Sequence, residues 1–498
     1  MLLGIDLGTT GVRAAIFEPG GALVEDASVS CMYESPAVGW AEIPPERWWQ
    51  ATTAALAKLT KVGQVTAIAV VGQAPTAVLV DDDGAALGSA ILWLDTRATE
   101  EASELGVHAY YLGPKLLWLA RNGGAAADSA RGRAEAAWGL QEQLTRARWI
   151  LQSHAYIVLR LTGEAAIDPS TAALAAPMFD LATRTWNGTL VEGVRSEQLP
   201  PVRAAHEVVG RVTGAASRAS GLPAGAPVVC GGGDFAAATL GAGVLEEGEA
   251  CLMLGTAGNL LVPRTTPGKD PRLINAHHVG ADVWLSLGGT LSGGAQEWFR
   301  HAWSRVPSED TGIRSAVPPF EALDGEAAPL AAGSEGILFL PYLQGERTPI
   351  WSTEARGAYV GLGLHHGRGH LWRALLEGVA LGFVDCQAVM EDEGIRLRTV
   401  VAANGGGKSA LFRQILCDAL GVPLSYTPTG GGTVAGAAIL AGLGTGALAL
   451  SDVRGWRGSS IQHEPDMNAH ARYRELLTLR RAAYEGLKGV YGGLAKLT

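Results

Sequence analysis

The chain has 498 residues, 47% of them hydrophobic and 18% charged, with a net charge of −10 at neutral pH. That length calls for two or more domains, and the acidic balance, with no basic stripe against it, excludes a general nucleic-acid or membrane-surface binder. The cysteines (Cys31, Cys230, Cys251, Cys386, Cys417) are odd in number and form no Cys-x-x-Cys pair, so no disulfide framework or zinc site is expected and a reducing, cytoplasmic compartment fits.

Leu2 to Asp6 reads as a short buried strand, Leu7-Gly8-Thr9-Thr10-Gly11 as a tight turn, and Val12 to Phe17 as a second strand. Asp6 interrupts the apolar stretch that a signal peptide needs, so no leader is expected. The turn carries glycines, two hydroxyls and free amides beside one carboxylate, a set suited to phosphate and a hydrated cation. A plain hairpin with a polar tip fits this segment equally well. Leu23 to Ser30 follows as a third strand, Pro45 to Lys61 as a helix, and Val65 to Val71 and Ala77 to Val80 as strands. Trp93 and Asp95-Thr96-Arg97 close the next strand as a surface turn or part of a polar pocket. Residues 99–155 are predicted mostly helical. Strand meander, helix, then strand marks an α/β protein that opens on antiparallel hairpins.

Val228-Val229-Cys230 leads into Gly231-Gly232-Gly233-Asp234. A single carboxylate on a glycine-rich strand end suits a general base for a hydroxyl attacking a γ-phosphate, and it equally suits a helix N-cap. Leu254-Gly255-Thr256-Ala257-Gly258 then repeats the first turn near the midpoint, which points to a duplicated fold with one nucleotide held between two lobes. Asn404-Gly405-Gly406-Gly407-Lys408-Ser409 joins a strand (Thr399 to Ala403) to a helix, where glycines admit a ring or phosphate at the helix start. Ala402 stands where a P-loop needs glycine, so a Walker-type site is rejected. The pairs His277-His278 and His365-His366 lack a carboxylate at ligand spacing. Prolines and glycines break the long uncharged run 419–451, so a buried helix with loops is expected there instead of a membrane span.

These residues resemble the FGGY carbohydrate kinases along nearly the whole chain, above all the members that act on D-xylulose. Gly4-Ile5-Asp6 through Arg13 and Leu254 to Gly258 match the two phosphate motifs, and Asn404 to Ser409 with Gln414-Ile415 and Asp418 matches the adenosine motif. Gly357 through His370-Leu371 to Glu377 has the spacing of the C-terminal signature. Pro114 to Trp118, Asp168 to Ala172 and Gly345 to Pro349 resemble xylulose-phosphorylating members. The resemblance implies two actin-like, ribonuclease-H-like α/β domains, 1–245 and 246–498, around a catalytic cleft. It implies Asp234 as catalytic base, Asp6 as the magnesium-associated aspartate acting through water, Thr9, Thr10, Arg13, Gly255 and Thr256 at phosphates, and Gly293, Gly405 and Gly406 near adenosine. The sugar side would be Gln73, Ala74, Pro75, Trp93 and Asp95 with Asp234. ATP and Mg2+ follow as cofactors, a small sugar or polyol as substrate, and the resemblance leaves room for a homodimer.

Three departures bear on the sugar. Ala74-Pro75-Thr76 replaces the family's usual Met-His-Gly, Phe235 the polar residue after the base, and Ala257 a common serine. Loss of polar contacts changes which hydroxyl pattern a site accepts. The expected reaction is phosphorylation of a primary hydroxyl of a ketopentose, with D-xylulose first, and ribulose, erythritol-type polyols or glycerol as alternatives. An actin-like ATPase without sugar substrate is the reading from a different class.

Overall fold

Leu2–Leu7 (β1) and Gly11–Phe17 (β2) form the predicted antiparallel hairpin, with Asp6 paired to Arg13 across it, and Leu23–Ser30 (β3) continues the meander. The structure, a computed structural model, describes residues 1–122, 139–303, 318–403, 405–428 and 432–495. It divides into two units: 1–245 with 275–284 and 430–458, and 246–274 with 285–429 and 459–498.

In the first unit the strand Ala67–Gly72 lies parallel to β1, and Pro227–Val229 parallel to it in turn. The sheet runs Val208–Arg211, Pro227–Val229, Ala67–Gly72, β1, β2, β3. Alternation along β1 sends Leu3, Ile5 and Leu7 to one face, where they join Trp48, Ala55, Leu56, Ile157 and Leu161 in a fully enclosed core. Burying each such aliphatic side chain contributes roughly 1.5–3 kcal/mol. The helices on this face are Pro45–Leu56 (α1) and Ser153–Thr162. On the other face lie Asp234–Gly241 and a helix from far along the chain, Gly432–Thr445, packed on β1 and on Ala67–Gly72. The latter is almost wholly apolar and enclosed, as a helix with no polar face must be. Its contact is backbone on backbone: a Cβ on Gly436 would lie 1.9 Å from the Ala237 carbonyl oxygen.

The second unit repeats the strand order. Glu249–Leu254 pairs antiparallel with Ala257–Arg264 and parallel with Thr399–Ala403, and Leu424–Tyr426 lies parallel beyond that. Trp284–Leu291 takes the place of β3, and the antiparallel Ile461–His463 that of Val208–Arg211. The echo read from two Gly-Thr turns is thus a duplicated sheet. Its core gathers Leu252, Leu260, Phe299, Phe339, Trp372, Phe383 and Phe412 around the long helix Arg368–Asp392.

Two predicted elements are corrected. α1 stops at Leu56, short of Lys61, because the amides of Thr60 and Lys61 turn to Glu25 on β3 at 2.8 and 3.1 Å. The expected helical stretch 99–155 contains a strand, Trp149–Leu151, paired with Val78–Val80. Its residues 123–138 lie outside the described residues, as do Asn404 and, within the uncharged run, 429–431. Among the described residues no helix is long and apolar enough to cross a membrane. All five cysteines are buried free thiols.

Candidate active site

Strand register brings Asp6 and Asp234 to one edge of the first sheet. Asp6 on β1 pairs with Val71 from one side, and Gly232-Gly233 pair with Val71 and Gly72 from the other. Asp234 follows directly, so the two carboxylates stand two strands apart, about 10 Å by the usual interstrand spacing. Both are half-buried. Enclosure by protein, reinforced by Asp234 and opposed by Arg13, pushes the Asp6 carboxyl up to about 8. Enclosure lifts Asp234 to about 6, against one hydrogen bond from the Phe235 amide. Asp6 Oδ1 has no hydrogen-bond partner. Asp234 opens its helix with Gly233 as N-cap, so the alternative capping role falls to its neighbour. The Phe235 ring packs against Gly233 and is 5% exposed, which turns the residue that replaces a polar one into core.

The first turn closes through the Gly8 amide on the Gly11 carbonyl at 2.9 Å. Thr9 Oγ1 accepts the indole N–H of Trp93 at 3.2 Å, and Thr10 is exposed. Arg13, also exposed, forks onto Asp26 at 2.9 and 3.1 Å. Gln73, Ala74 and Pro75 are buried beside the end of the central strand, and the Gln73 amide group donates to the Gly8 carbonyl at 3.3 Å. Asp95 is enclosed, and its carboxylate accepts from the Ala41 amide at 2.6 Å and from Arg97 Nε and Nη2 at 2.9 and 2.6 Å. Arg97 also holds Glu42 and lies over the Trp40 ring at 3.7 Å. Asp95 is therefore an anchor of this wall, with Trp93 presented two residues before it.

Sequence reasoning missed two residues here. The Tyr110 hydroxyl donates to the Ala74 carbonyl at 3.0 Å, and its ring meets Trp93 edge-on at 6.4 Å. Beneath it the fully buried Lys115 ammonium donates to the carbonyls of Ala109 and Tyr110 at 2.9 and 2.8 Å. Burial drives that lysine down to about 7. A lone lysine inside the apolar run Pro114 to Trp118 was the available signal, since a buried amine must find acceptors.

In the second unit the Gly255-Thr256 turn docks on the start of the helix Gly293–Trp303. The amides of Gly293 and Gly294 donate to the carbonyls of Gly255 and Thr256 at 2.9 Å each. Glycine is required at 293, where a Cβ would lie 2.6 Å from the Gly255 oxygen. Gly405–Lys408 forms a 3-10 turn after the strand, with Gly406 against Leu254 and Gly407 under the Tyr426 ring. Arg413 pins it, donating to the Gly407 and Lys408 carbonyls at 2.6 and 2.9 Å. Ser409 caps the helix Ala410–Leu420 through the Phe412 amide at 3.0 Å. Gly255, Gly293 and Gly406 thus meet around the end of one strand, leaving backbone exposed where a flat ring or a phosphate can approach.

The histidine pairs differ from expectation in one respect. His277 and His278 are buried and bonded to the Leu181 and Val244 carbonyls at 2.8 and 3.1 Å, and burial holds both near 4. His365 and His366 do have a carboxylate beside them: Glu335 brings its oxygen within 4.8 Å of their ring nitrogens. The Gly363 amide donates to His366 Nδ1 at 2.8 Å and the Gly367 amide to His370 Nδ1 at 3.0 Å. Nδ1 is thus an acceptor in both His366 and His370; His370 Nε2 lies 3.6 Å from a Glu335 oxygen, and His366 Nε2 is buried with no hydrogen-bond partner.

Comparison with known proteins gives one family, whose matching members are named for more than one substrate. The model of the FGGY family of carbohydrate kinases matches residues 1–241 with its N-terminal domain and 250–445 with its C-terminal domain. The chain is 31% identical to xylulose kinase of Escherichia coli (strain K12) over 511 residues, covering 98% of this chain and 99% of that one. It is 32% identical to xylulose kinase of Klebsiella pneumoniae over 465 residues, 89% of each. The crystal structure of xylulose kinase from Rhodospirillum rubrum superposes with a TM-score of 0.83 at 31% identity, covering 99% of both chains.

Proposed function

We infer that this chain, which belongs to the FGGY family of carbohydrate kinases and is an ATP-dependent sugar kinase, phosphorylates D-xylulose on a primary hydroxyl to give D-xylulose 5-phosphate. The observation that carries the chemistry is the pair Asp6 and Asp234, two half-buried carboxylates at one sheet edge with one oxygen left unbonded. D-xylulose is favoured by the names of the relatives over nearly the full chain.

In this reading Asp234 accepts the proton of the substrate hydroxyl as its oxygen bonds to the γ-phosphorus and the bond to the bridging oxygen of ADP breaks. Two carboxylates in one enclosed site hold protons unless a cation offsets them, and Asp6 Oδ1 has no other partner, so the residues fit Mg2+ held by Asp6 through water. Such an ion supplies charge stabilisation to the transferring phosphoryl group. Thr9, Thr10, Arg13, Gly255 and Thr256 are assigned to phosphates, with Arg13 first leaving Asp26. Gly293, Gly405 and Gly406 are assigned to adenosine. Gln73, Ala74, Pro75 and Trp93 are assigned to the sugar, while Asp95, its carboxylate taken up by the Ala41 amide and Arg97, anchors the backbone that follows Trp93. The sugar and the first phosphate turn are thus assigned to residues 1–245, and the second phosphate turn and adenosine to residues within 246–498. The five buried thiols support a reducing, cytoplasmic setting. A homodimer is tested by mass in solution.

A coupled ADP-release screen over ketopentoses, pentitols, tetritols and glycerol, with the product identified by phosphorus NMR, tests the reading. Release dependent on D-xylulose with a 5-phosphate product is expected. Release confined to another acceptor would move the substrate to what Ala74-Pro75-Thr76 admits. Sugar-independent hydrolysis would favour an actin-like ATPase.

A further inference from the structure

We propose that Ser170 and Gln152 are positioning residues, which hold the backbone before Asp234 in fixed relation to the sugar-side segment Gln73–Thr76. The proposal rests on the reading of Asp234 as the base.

Asp234 is carried by glycine. Gly231 takes the left-handed region at φ 78°, and Gly232 and Gly233 have no side chain to anchor the run. Such backbone is intrinsically free to move, while misplacing a reacting group by about 1 Å can cost about a hundredfold in rate. The structure gives Gly233 a side-chain restraint: its amide donates to Ser170 Oγ at 3.1 Å in a buried setting. Ser170 is itself fixed by Asp168, which caps the short helix Pro169–Ala172. Asp168 accepts from the Ser170 amide at 2.7 Å and from the Thr171 hydroxyl at 2.5 Å. Asp168 also packs against Gly232, where a Cβ would lie 3.0 Å from its oxygen.

The chain of bonds continues to the other reactant. Gln152 donates to the Thr171 carbonyl at 2.7 Å and accepts from the Thr76 amide at 3.4 Å. Thr76 Oγ1 accepts from the Ser153 amide at 2.8 Å, and the Ser153 hydroxyl donates to the Gln73 carbonyl at 2.7 Å. Gln73 in turn donates to the Gly8 carbonyl of the first phosphate turn. Thr76, Gln152, Ser153, Asp168, Ser170 and Thr171 are all 0% exposed. A wholly buried polar chain fixes geometry, because each member that loses its partner is left unpaired in a low-dielectric interior. This one begins at the backbone before the base and ends at the segment that departs from the family's pattern.

The test is a double-mutant cycle on turnover. Ser170→Ala leaves the Gly233 amide without its acceptor, and kcat should fall about tenfold or more while KM for ATP stays within about twofold. In an Asp234→Asn background the same change should have little further effect on the residual turnover, since its influence runs through the base. Gln152→Ala should show the same pattern with a smaller loss, and it carries the cycle if Ser170→Ala does not fold. Near-normal kcat in both variants, or a loss that persists undiminished in the Asp234→Asn background, overturns the proposal. Near-normal turnover of Asp234→Asn alone would overturn the underlying reading of the base instead.

Discussion

The indole N–H of Trp93 is bonded to Thr9 Oγ1 at 3.2 Å, which ties a side chain assigned to the sugar to a hydroxyl assigned to phosphate. The two should be coupled energetically. Trp93→Phe and Thr9→Val are each expected to raise KM for sugar and for ATP, and the double variant should fall short of the sum. Coupling of about 0.5–1.5 kcal/mol, the range of one such bond, is the expected reading from steady-state kinetics. Strict additivity would mean that the bond plays no part in the working enzyme.

Asp234→Ala should lower kcat by about a hundredfold or more, as expected for a lost general base, with ATP affinity little changed. A base works only when ionised. With Asp234 near 6, kcat/KM should fall as pH drops below that value and level off above it. A pH profile flat to about pH 4.5 would remove Asp234 from this role.

Asp6 gives a prediction for stability. Its carboxyl holds a proton to about 8 when folded, against 3.8 ordinarily, so the folded chain binds the extra proton between those values. Stability from this group is present in acid and lost as pH rises through about 8. Asp6→Asn should therefore raise the Tm of magnesium-free protein at about pH 8.5 and change it little at about pH 4.5. Added Mg2+ should raise the Tm of the parent at the higher pH and leave Asp6→Asn unmoved. Equal Mg2+ responses in both proteins would place the cation elsewhere.

Asp385 in the second unit holds the 2% exposed Arg480 and also Arg481, at 2.7 Å for the latter. Removing its charge strands a buried guanidinium, a loss of about 3–5 kcal/mol. Denaturant unfolding of Asp385→Ala should show that loss, and the double change Asp385→Leu with Arg480→Met should recover most of it.

What the sequence disclosed was local. The two Gly-Thr hairpins, Asp6 and the strand-to-helix turn at Gly405–Lys408 were legible because short motifs and periodicity carry them. The role of Asp95 was not, because its partner amide on Ala41 lies 54 residues away and only the fold makes the two neighbours. The end of α1 was missed for the same reason, as Glu25 from β3 captures its trailing amides. Glu335 joins the histidines through a turn in which Ser334 and Glu335 take positive φ, a conformation that gives no warning in non-glycine residues. Tyr110 lies in a loop without periodicity, and its bond to Ala74 and its contact with the Trp93 ring are made only by the fold.

The helix Gly432–Thr445 completes the first unit's sheet from one face, although the rest of that unit is nearly finished by Leu245. On a ribosome this order has a consequence. The half made first waits for the residues between 245 and 432 before its central strands are covered, a delay of roughly ten seconds or more at usual synthesis rates. During that time the far side of β1 stays open to chaperones and to misfolding. A fragment ending at residue 245 would never leave that state, so cutting this protein at its apparent midpoint should yield an aggregating polypeptide instead of an isolated sugar-binding half.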